Sequence, residues 1–194
     1  MSVIPITSKQ MTLEEYVEFD RNNEGRFEYF DGELFELSGS SIQHADIETN
    51  LLTILKRELT PKGCRVNSAN VRLKVPRLPT FRYADLSALC GKRIIEKFSG
   101  VDILINPSLI VEILSESTAS YDRGQKFYEY KSIESFREYL LVEQNKQLVT
   151  LYTKHNEKFW FQSEYETGET FKLESLDCEL IVDEIYQGVE FDIE

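Results

Sequence analysis

Apolar residues recur along this chain at two spacings, and their alternation predicts the order of elements. Thr12-Leu13-Glu14-Glu15 matches a capping box and predicts a short helix to about Asp20. Two short runs, Arg26 to Phe30 and Glu33 to Leu37, flank the tight-turn dipeptide Asp31-Gly32 and predict a hairpin. From Ser41 to Leu59 the residues Ile47, Leu51, Ile54, Leu55 and Leu59 recur at helical spacing, so a long amphipathic helix is expected, ended by Pro61 and Gly63. Strands are predicted at about 64–75, 81–89 and 108–114, a helix from about Ser120 to Lys131, and a strand at about 137–143. Asn145-Lys146 turns the chain into a strand at 147–153, and 158–164 pairs back on it. A strand near 178–182 and a short helical turn close the pattern. Helix, several strands, helix and strand, with antiparallel hairpins at both ends, predict an α/β fold: a mixed β-sheet flanked by helices, with sites at strand ends.

Composition narrows the class. The 194 residues fit a single domain, 1–194, whose first ~11 residues are expected to be extended or flexible. Apolar (41%) and charged (29%) fractions are those of a soluble globular protein, and no apolar run approaches the ~20 residues that span a bilayer. No membrane partner is therefore expected, and the N-terminus lacks the pattern of a secretory signal. Cys64, Cys90 and Cys178 are odd in number and far apart, which reads as reduced, buried thiols in a cytoplasmic protein. Only His44 and His155 are present, which argues against zinc. No Gly-x-Ser-x-Gly elbow, H-E-x-x-H motif or obvious Cys–His partnership supports a protease or esterase.

Two acids change the picture. Asp85 lies among Phe81, Tyr83, Leu86 and Leu89, and Glu112 interrupts Leu109-Ile110-Val111 and Ile113-Leu114. A carboxylate inside such a strand is costly to desolvate unless a cation, a metal or hydrogen bonds compensate. One on each of two strands marks a place for a hard cation. The net charge of -12 speaks against indiscriminate nucleic-acid coating. Between Lys56 and Arg82, however, eight basic residues stand against the single acid Glu58. This stretch is either a solvated basic hairpin or a phosphate-facing strip beside Asp85, with Arg72, Lys74, Arg77 and Arg82 as the nucleic-acid contacts.

At these residues the chain resembles a known family. Arg26-Phe27-Glu28-Tyr29-Phe30-Asp31-Gly32-Glu33, His44 at the start of the long helix, Tyr83-Ala84-Asp85, Val111-Glu112-Ile113-Leu114-Ser115-Glu116-Ser117-Thr118, Tyr121 to Lys126 and Arg137 to Glu143 occur in order. Together they are similar to the family named for putative restriction endonucleases, a branch of the PD-(D/E)XK nucleases, over roughly residues 12 to 190. The resemblance implies a restriction-endonuclease-like fold and a Mg²⁺-dependent phosphodiesterase centre in which Asp85 and Glu112 match the family's acids. The superfamily's usual lysine position falls on Leu114, and in this branch Lys126 from the next helix matches that role. The chain departs from the family at Ala84 and Glu116, which replace prolines, and at Gln125, which replaces a Glu beside the lysine.

Asp85 and Glu112 are thus the expected metal ligands for Mg²⁺, with Mn²⁺ as an alternative, and Lys126 orients water or stabilises developing charge. Glu28, Glu33, His44 and Glu48 form a second tier around them, with Gln125. Bland readings stand beside these: Asp122 with Arg123 as a helix cap and its partner, and Tyr121, Tyr128 and Tyr130 as packing. The expected function is metal-dependent cleavage of DNA phosphodiesters. The competing expectation is a nuclease fold without activity, kept as a binding or oligomerisation module. By analogy with related folds, a homodimer is expected.

Overall fold

The computed structural model describes residues 10–23, 27–30, 32–36, 41–78 and 81–191, and the side chains of Glu28, Phe30, Phe35 and Glu36 are also outside the description. Helix α1 (Leu13–Asn22) begins on the expected capping box. Thr12 Oγ1 accepts the Glu15 N–H at 3.2 Å, and the Glu15 carboxylate accepts the Thr12 N–H at 2.7 Å. The helix buries Tyr16 and Val17 with Phe27, Tyr29 and Leu34 of the hairpin β1 (Phe27–Phe30) and β2 (Glu33–Glu36). Asp31 of the expected turn lies outside the described residues. Gly32, at φ +87°, supplies the left-handed conformation the turn needs.

Helix α2 (Ile42–Leu59) is capped by Ser41, whose hydroxyl accepts the His44 N–H. Its buried stripe is Ile47, Leu51, Ile54, Leu55 and Leu59, as the spacing predicts, and each such side chain contributes roughly 1.5–3 kcal/mol on burial. The stripe packs on one face of a six-stranded sheet. In spatial order this sheet is β12 (Trp160–Glu166), β11 (Leu148–Lys154), β10 (Glu138–Glu143), β9 (Leu109–Leu114), β6 (Leu86–Cys90) and β3 (Cys64–Ser68). Only β9 and β10 are parallel, and the chain between them forms the crossover: α3 (Ala119–Tyr121), a π turn (Asp122–Lys126) and α4 (Phe127–Tyr130). Phe127, Tyr130, Phe136 and Tyr139 cover the second face of the sheet with Ile110, Leu114 and Leu141. A hairpin of β13 (Thr170–Leu173) and β14 (Cys178–Ile181), then α5 (Val182–Ile185), completes the α2 side.

Three expectations about the strands are corrected. The predicted strand 64–75 is two strands: β3 stays in the main sheet, while β4 (Arg72–Lys74) enters a four-stranded sheet of order β5-β4-β8-β7. The predicted strand 81–89 likewise divides into β5 (Phe81–Tyr83) in the small sheet and β6 in the large one, with Ala84 and Asp85 at the crossing. The hairpin β7 (Ile95–Phe98) and β8 (Val101–Leu104), turning at Ser99-Gly100, was not expected, nor was β13. The cysteine reading is also corrected. Cys64 and Cys90 face each other in the β3–β6 register and form a disulfide, and Cys178 alone is a free, buried thiol. A bonded pair differs from the reduced thiols expected of a cytoplasmic protein. Among the described residues no helix is long and apolar enough to cross a membrane.

Candidate active site

Asp85 sits where the chain leaves the small sheet for the large one. Antiparallel pairing sets Leu86 against Val111, so Asp85 directly precedes one member of that pair and Glu112 directly follows the other. Its Oδ2 accepts the Ile113 N–H at 2.7 Å, which ties the acid to β9. Its Oδ1 lies 3.3 Å from Nε2 of His44 in the first turn of α2. Burial pushes the Asp85 carboxyl up, but the His44 hydrogen bond and charge, the charge of Lys126 and the Ile113 N–H outweigh it, and the net result lies below the ordinary carboxylate value.

Glu112 is the polar residue of a strand whose six residues are all buried, and it is only 3% exposed. Alternation along β9 turns Val111 and Ile113 toward α2, and Glu112 with Ile110 and Leu114 toward the crossover helix. There Glu112 Oε1 meets Lys126 Nζ at 2.9 Å and accepts the Tyr130 hydroxyl at 2.8 Å. Burial raises the Glu112 carboxyl well above its usual value, Lys126 opposes the rise, and the negative charges of Asp85 and Asp122 add to it.

The π turn aims the lysine. Single π turns inside helices recur at functional sites because the extra residue re-aims side chains. Here Asp122, Lys126 and Tyr130 fall on the inner side of the helix, and all three are buried. Lys126 Nζ lies 3.3 Å from Asp122 Oδ1, so Asp122 is the lysine's partner rather than a helix cap with Arg123. Arg123 instead pairs with Glu143 at 2.5 Å. Sequence reasoning missed Asp122 and Tyr130 as members of this cluster, although Asp122 and Lys126 stand at the i,i+4 spacing of a helical ion pair.

Of the second tier, His44 joins the cluster through Asp85. Glu48 follows one turn later on α2 and is half-buried. Gln125 points away, donating to Glu129 at 3.0 Å, and Glu33 is exposed on β2. The side chain of Glu28 lies outside the described residues.

The basic strip does not form one face. Arg82 is 1% exposed and pairs with the buried Glu129 at 3.2 Å, so it holds α4 to β5 and cannot reach a bound nucleic acid. Arg72 pairs with Asp20 between the Phe81 and Tyr83 rings, and Lys74 pairs with Glu96 at 3.0 Å. Arg77 remains at the surface, 4.1 Å above the ring of the exposed Tyr128.

The donor set fits a hard cation in one way only. Among the described residues no group of three or more His, Cys, Asp and Glu side chains could hold a metal. What Asp85 and Glu112 could offer is a pair of carboxylates close enough for the charge of one to act on the other. Mg²⁺ accepts such a platform because it retains waters and takes substrate oxygens for its remaining positions.

A model of the family described as "Putative restriction endonuclease" (Uma2) matches residues 13–183. The chain belongs to this family. Two uncharacterized proteins of Synechocystis sp. are similar to it at near full length: one is 29% identical over 94% of each chain, the other 28% identical over 89% of this chain and 96% of its own. A crystal structure of a putative nuclease from Anabaena variabilis superposes with a TM-score of 0.70 at 16% identity, covering 91% of this chain and 97% of the other. The restriction-endonuclease-like architecture expected of a Uma2 protein is thus the one observed, and Asp85, Glu112 and Lys126 all lie inside the span that the family model matches.

Proposed function

We propose that this Uma2 protein is a divalent-cation-dependent nuclease that hydrolyses DNA phosphodiester bonds at Asp85, Glu112 and Lys126. The observation that carries the reading is the convergence of two carboxylates from adjacent strands with a buried lysine delivered by the crossover helix. Asp85, held ionised by its neighbours, is a ready oxygen ligand, and Glu112 is the second. Held by Asp85 and Glu112, a hard cation would supply a bound water of lowered pKa and positive charge beside the scissile phosphate. Lys126 carries the one function the carboxylates cannot, a positive donor turned toward negative charge as it develops on the phosphate. Lys126, 2.9 Å from Glu112, also opposes the rise that burial imposes on that carboxyl, which favours the ionised form a cation would need. Of Arg72, Lys74, Arg77 and Arg82, Arg77 on the Tyr128 ring is the one placed to meet the DNA backbone.

A second reading has its own observation. Lys126 already neutralises Glu112 and Asp122 in the fold, as it would in a nuclease fold retained for binding alone. Supercoiled plasmid incubated with Mg²⁺ or Mn²⁺ separates the two. Nicking or linearisation by the wild type, abolished by EDTA and by both Glu112→Gln and Asp85→Asn in folded protein, is the expected result. Intact plasmid under all conditions, with DNA retained in a mobility shift, places the binding reading ahead.

A further inference from the structure

We propose that two copies of this chain join edge to edge through β12, antiparallel about a two-fold axis at Ser163. The inference stands on the strand itself and is independent of the nuclease reading. β12 is the outermost strand of the large sheet, seven residues long, and among the described residues no strand pairs with its outer edge. Gln162, Ser163 and Glu164 are exposed, and so are the aromatic rings of Phe159 (62%) and Phe161 (60%). A long exposed edge with apolar side chains is a template for another strand, and proteins without such a partner usually blunt it.

Backbone direction determines which groups are on offer. Lys154 donates its N–H inward to the Arg137 carbonyl at 2.8 Å, and His155 donates to Phe159 across the hairpin at 3.0 Å. By alternation, the backbone groups of Phe161, Ser163 and Tyr165 turn toward β11. Those of Trp160, Gln162 and Glu164 turn outward. Glu166 ends the free edge, because its N–H and carbonyl are taken by the Glu169 carboxylate at 2.7 Å and the Glu169 N–H at 3.1 Å.

The side chains then select a second copy and its register. Centred on Ser163, Gln162 of one copy faces Glu164 of the other in hydrogen-bonded pairs, and Phe161 faces Tyr165, a favourable aromatic cross-strand pair. Centring on Glu164 instead would set two glutamates directly opposite each other. Centring on Gln162 would set Phe161 against Ser163. Charge is also polarised along the strand: at its hairpin end Lys154 is paired with Glu157 at 2.8 Å and Lys158 is left as the cation, while Glu164, Glu166 and Glu169 lie at the other. Antiparallel pairing lays the basic end of each copy on the acidic end of its partner, as an isologous interface requires.

Three variants of the full chain test this. Gln162→Pro removes an outward N–H without touching the β11 ladder, a position where an edge strand tolerates proline. Sedimentation equilibrium is expected to give a dimer for the wild type and a monomer, with an unchanged far-UV spectrum, for Gln162→Pro. Ser163→Cys places two thiols on the axis, where facing Cα atoms lie ~4.5 Å apart, within the disulfide range. Phe161→Cys places them about 14 Å apart. On mild oxidation Ser163→Cys is expected to form a reducible covalent dimer at least ~10-fold faster than Phe161→Cys, as those separations demand. A monomeric wild type overturns the proposal. So does a dimer in which Ser163→Cys cross-links no faster than Phe161→Cys, because its interface would lie elsewhere. If Gln162→Pro does not fold, the comparison of the two cysteine variants decides alone.

Discussion

Lys126→Met removes the ammonium that lies 2.9 Å from Glu112 and 3.3 Å from Asp122, leaving two acids close together in a dry site. Breaking a buried pair by removing one partner typically costs ~3–5 kcal/mol. Here the cost has a pH dependence of known sign. Burial already raises the Glu112 carboxyl, and Lys126 is the largest influence holding it down. A carboxyl raised on folding leaves the fold most stable below its unfolded value, and that share is lost as the pH climbs through the folded value. Without Lys126 the folded value moves higher, so the variant keeps losing stability over a window in which the wild type has stopped. The deficit should therefore be smallest at the acid end and grow, by up to ~1.4 kcal/mol per pH unit, once the pH passes the wild type's folded value, toward the ~3–5 kcal/mol of an unpaired buried charge. Urea unfolding at pH 5, 6, 7 and 8 measures this. The reporter is Trp160, the single tryptophan, whose ring centre lies 5.2 Å from that of Phe127, the residue after Lys126. In the double variant with Glu112→Gln the pH dependence should flatten. A deficit that is the same at every pH, or below about 1 kcal/mol at pH 8, would refute the buried-pair reasoning.

Three further outcomes are expected. Arg82→Met strands Glu129 and should cost about 3–5 kcal/mol in urea unfolding, most of it recovered by adding Glu129→Leu, while DNA affinity of the folded protein stays unchanged. His44→Ala removes the strongest influences lowering Asp85 against its burial, so the acid limb of the cleavage profile should move to higher pH; an unmoved limb in folded protein would exclude this role. Reducing the Cys64–Cys90 bond, or replacing both residues by Ser, should lower stability by ~3 kcal/mol in paired melts with and without dithiothreitol, and no change would mean the pair is open in solution.

The sequence spelled out those elements whose burial is uniform along their length. The α2 stripe and the buried, mostly apolar runs of β9 and β10 are read directly, because one face or both faces are covered throughout. It concealed the breaks after Ser68 and at Ala84-Asp85, since alternation reports which face is buried but not which sheet a strand has joined. The β7–β8 hairpin was hidden by its half-exposed, charged strand Ile95–Phe98, although Ser99-Gly100 was an available turn signal. Asp85, Glu112 and Lys126 could be singled out because a charge inside an apolar run needs an explanation. Tyr130 and Asp122 could not be separated from packing and capping residues without the π turn that brings them round. The basic strip misled for a related reason: its acid partners Asp20, Glu96 and Glu129 lie far away in sequence, so counting local charge overstates what reaches the surface.

The parallel pairing of β9 and β10 has a consequence for when this chain could cut anything. A hairpin can close as soon as its turn forms, but two parallel strands meet only after the whole crossover between them has been threaded. Because Lys126 rides on that crossover while Asp85 and Glu112 come from an antiparallel neighbour pair, the acids can meet before the lysine is delivered. Long-range parallel contacts belong to the slow part of folding. A growing or half-folded chain would then carry its carboxylates side by side, mutually repelling and without their cation, and any activity would switch on only with the last-formed register of the sheet.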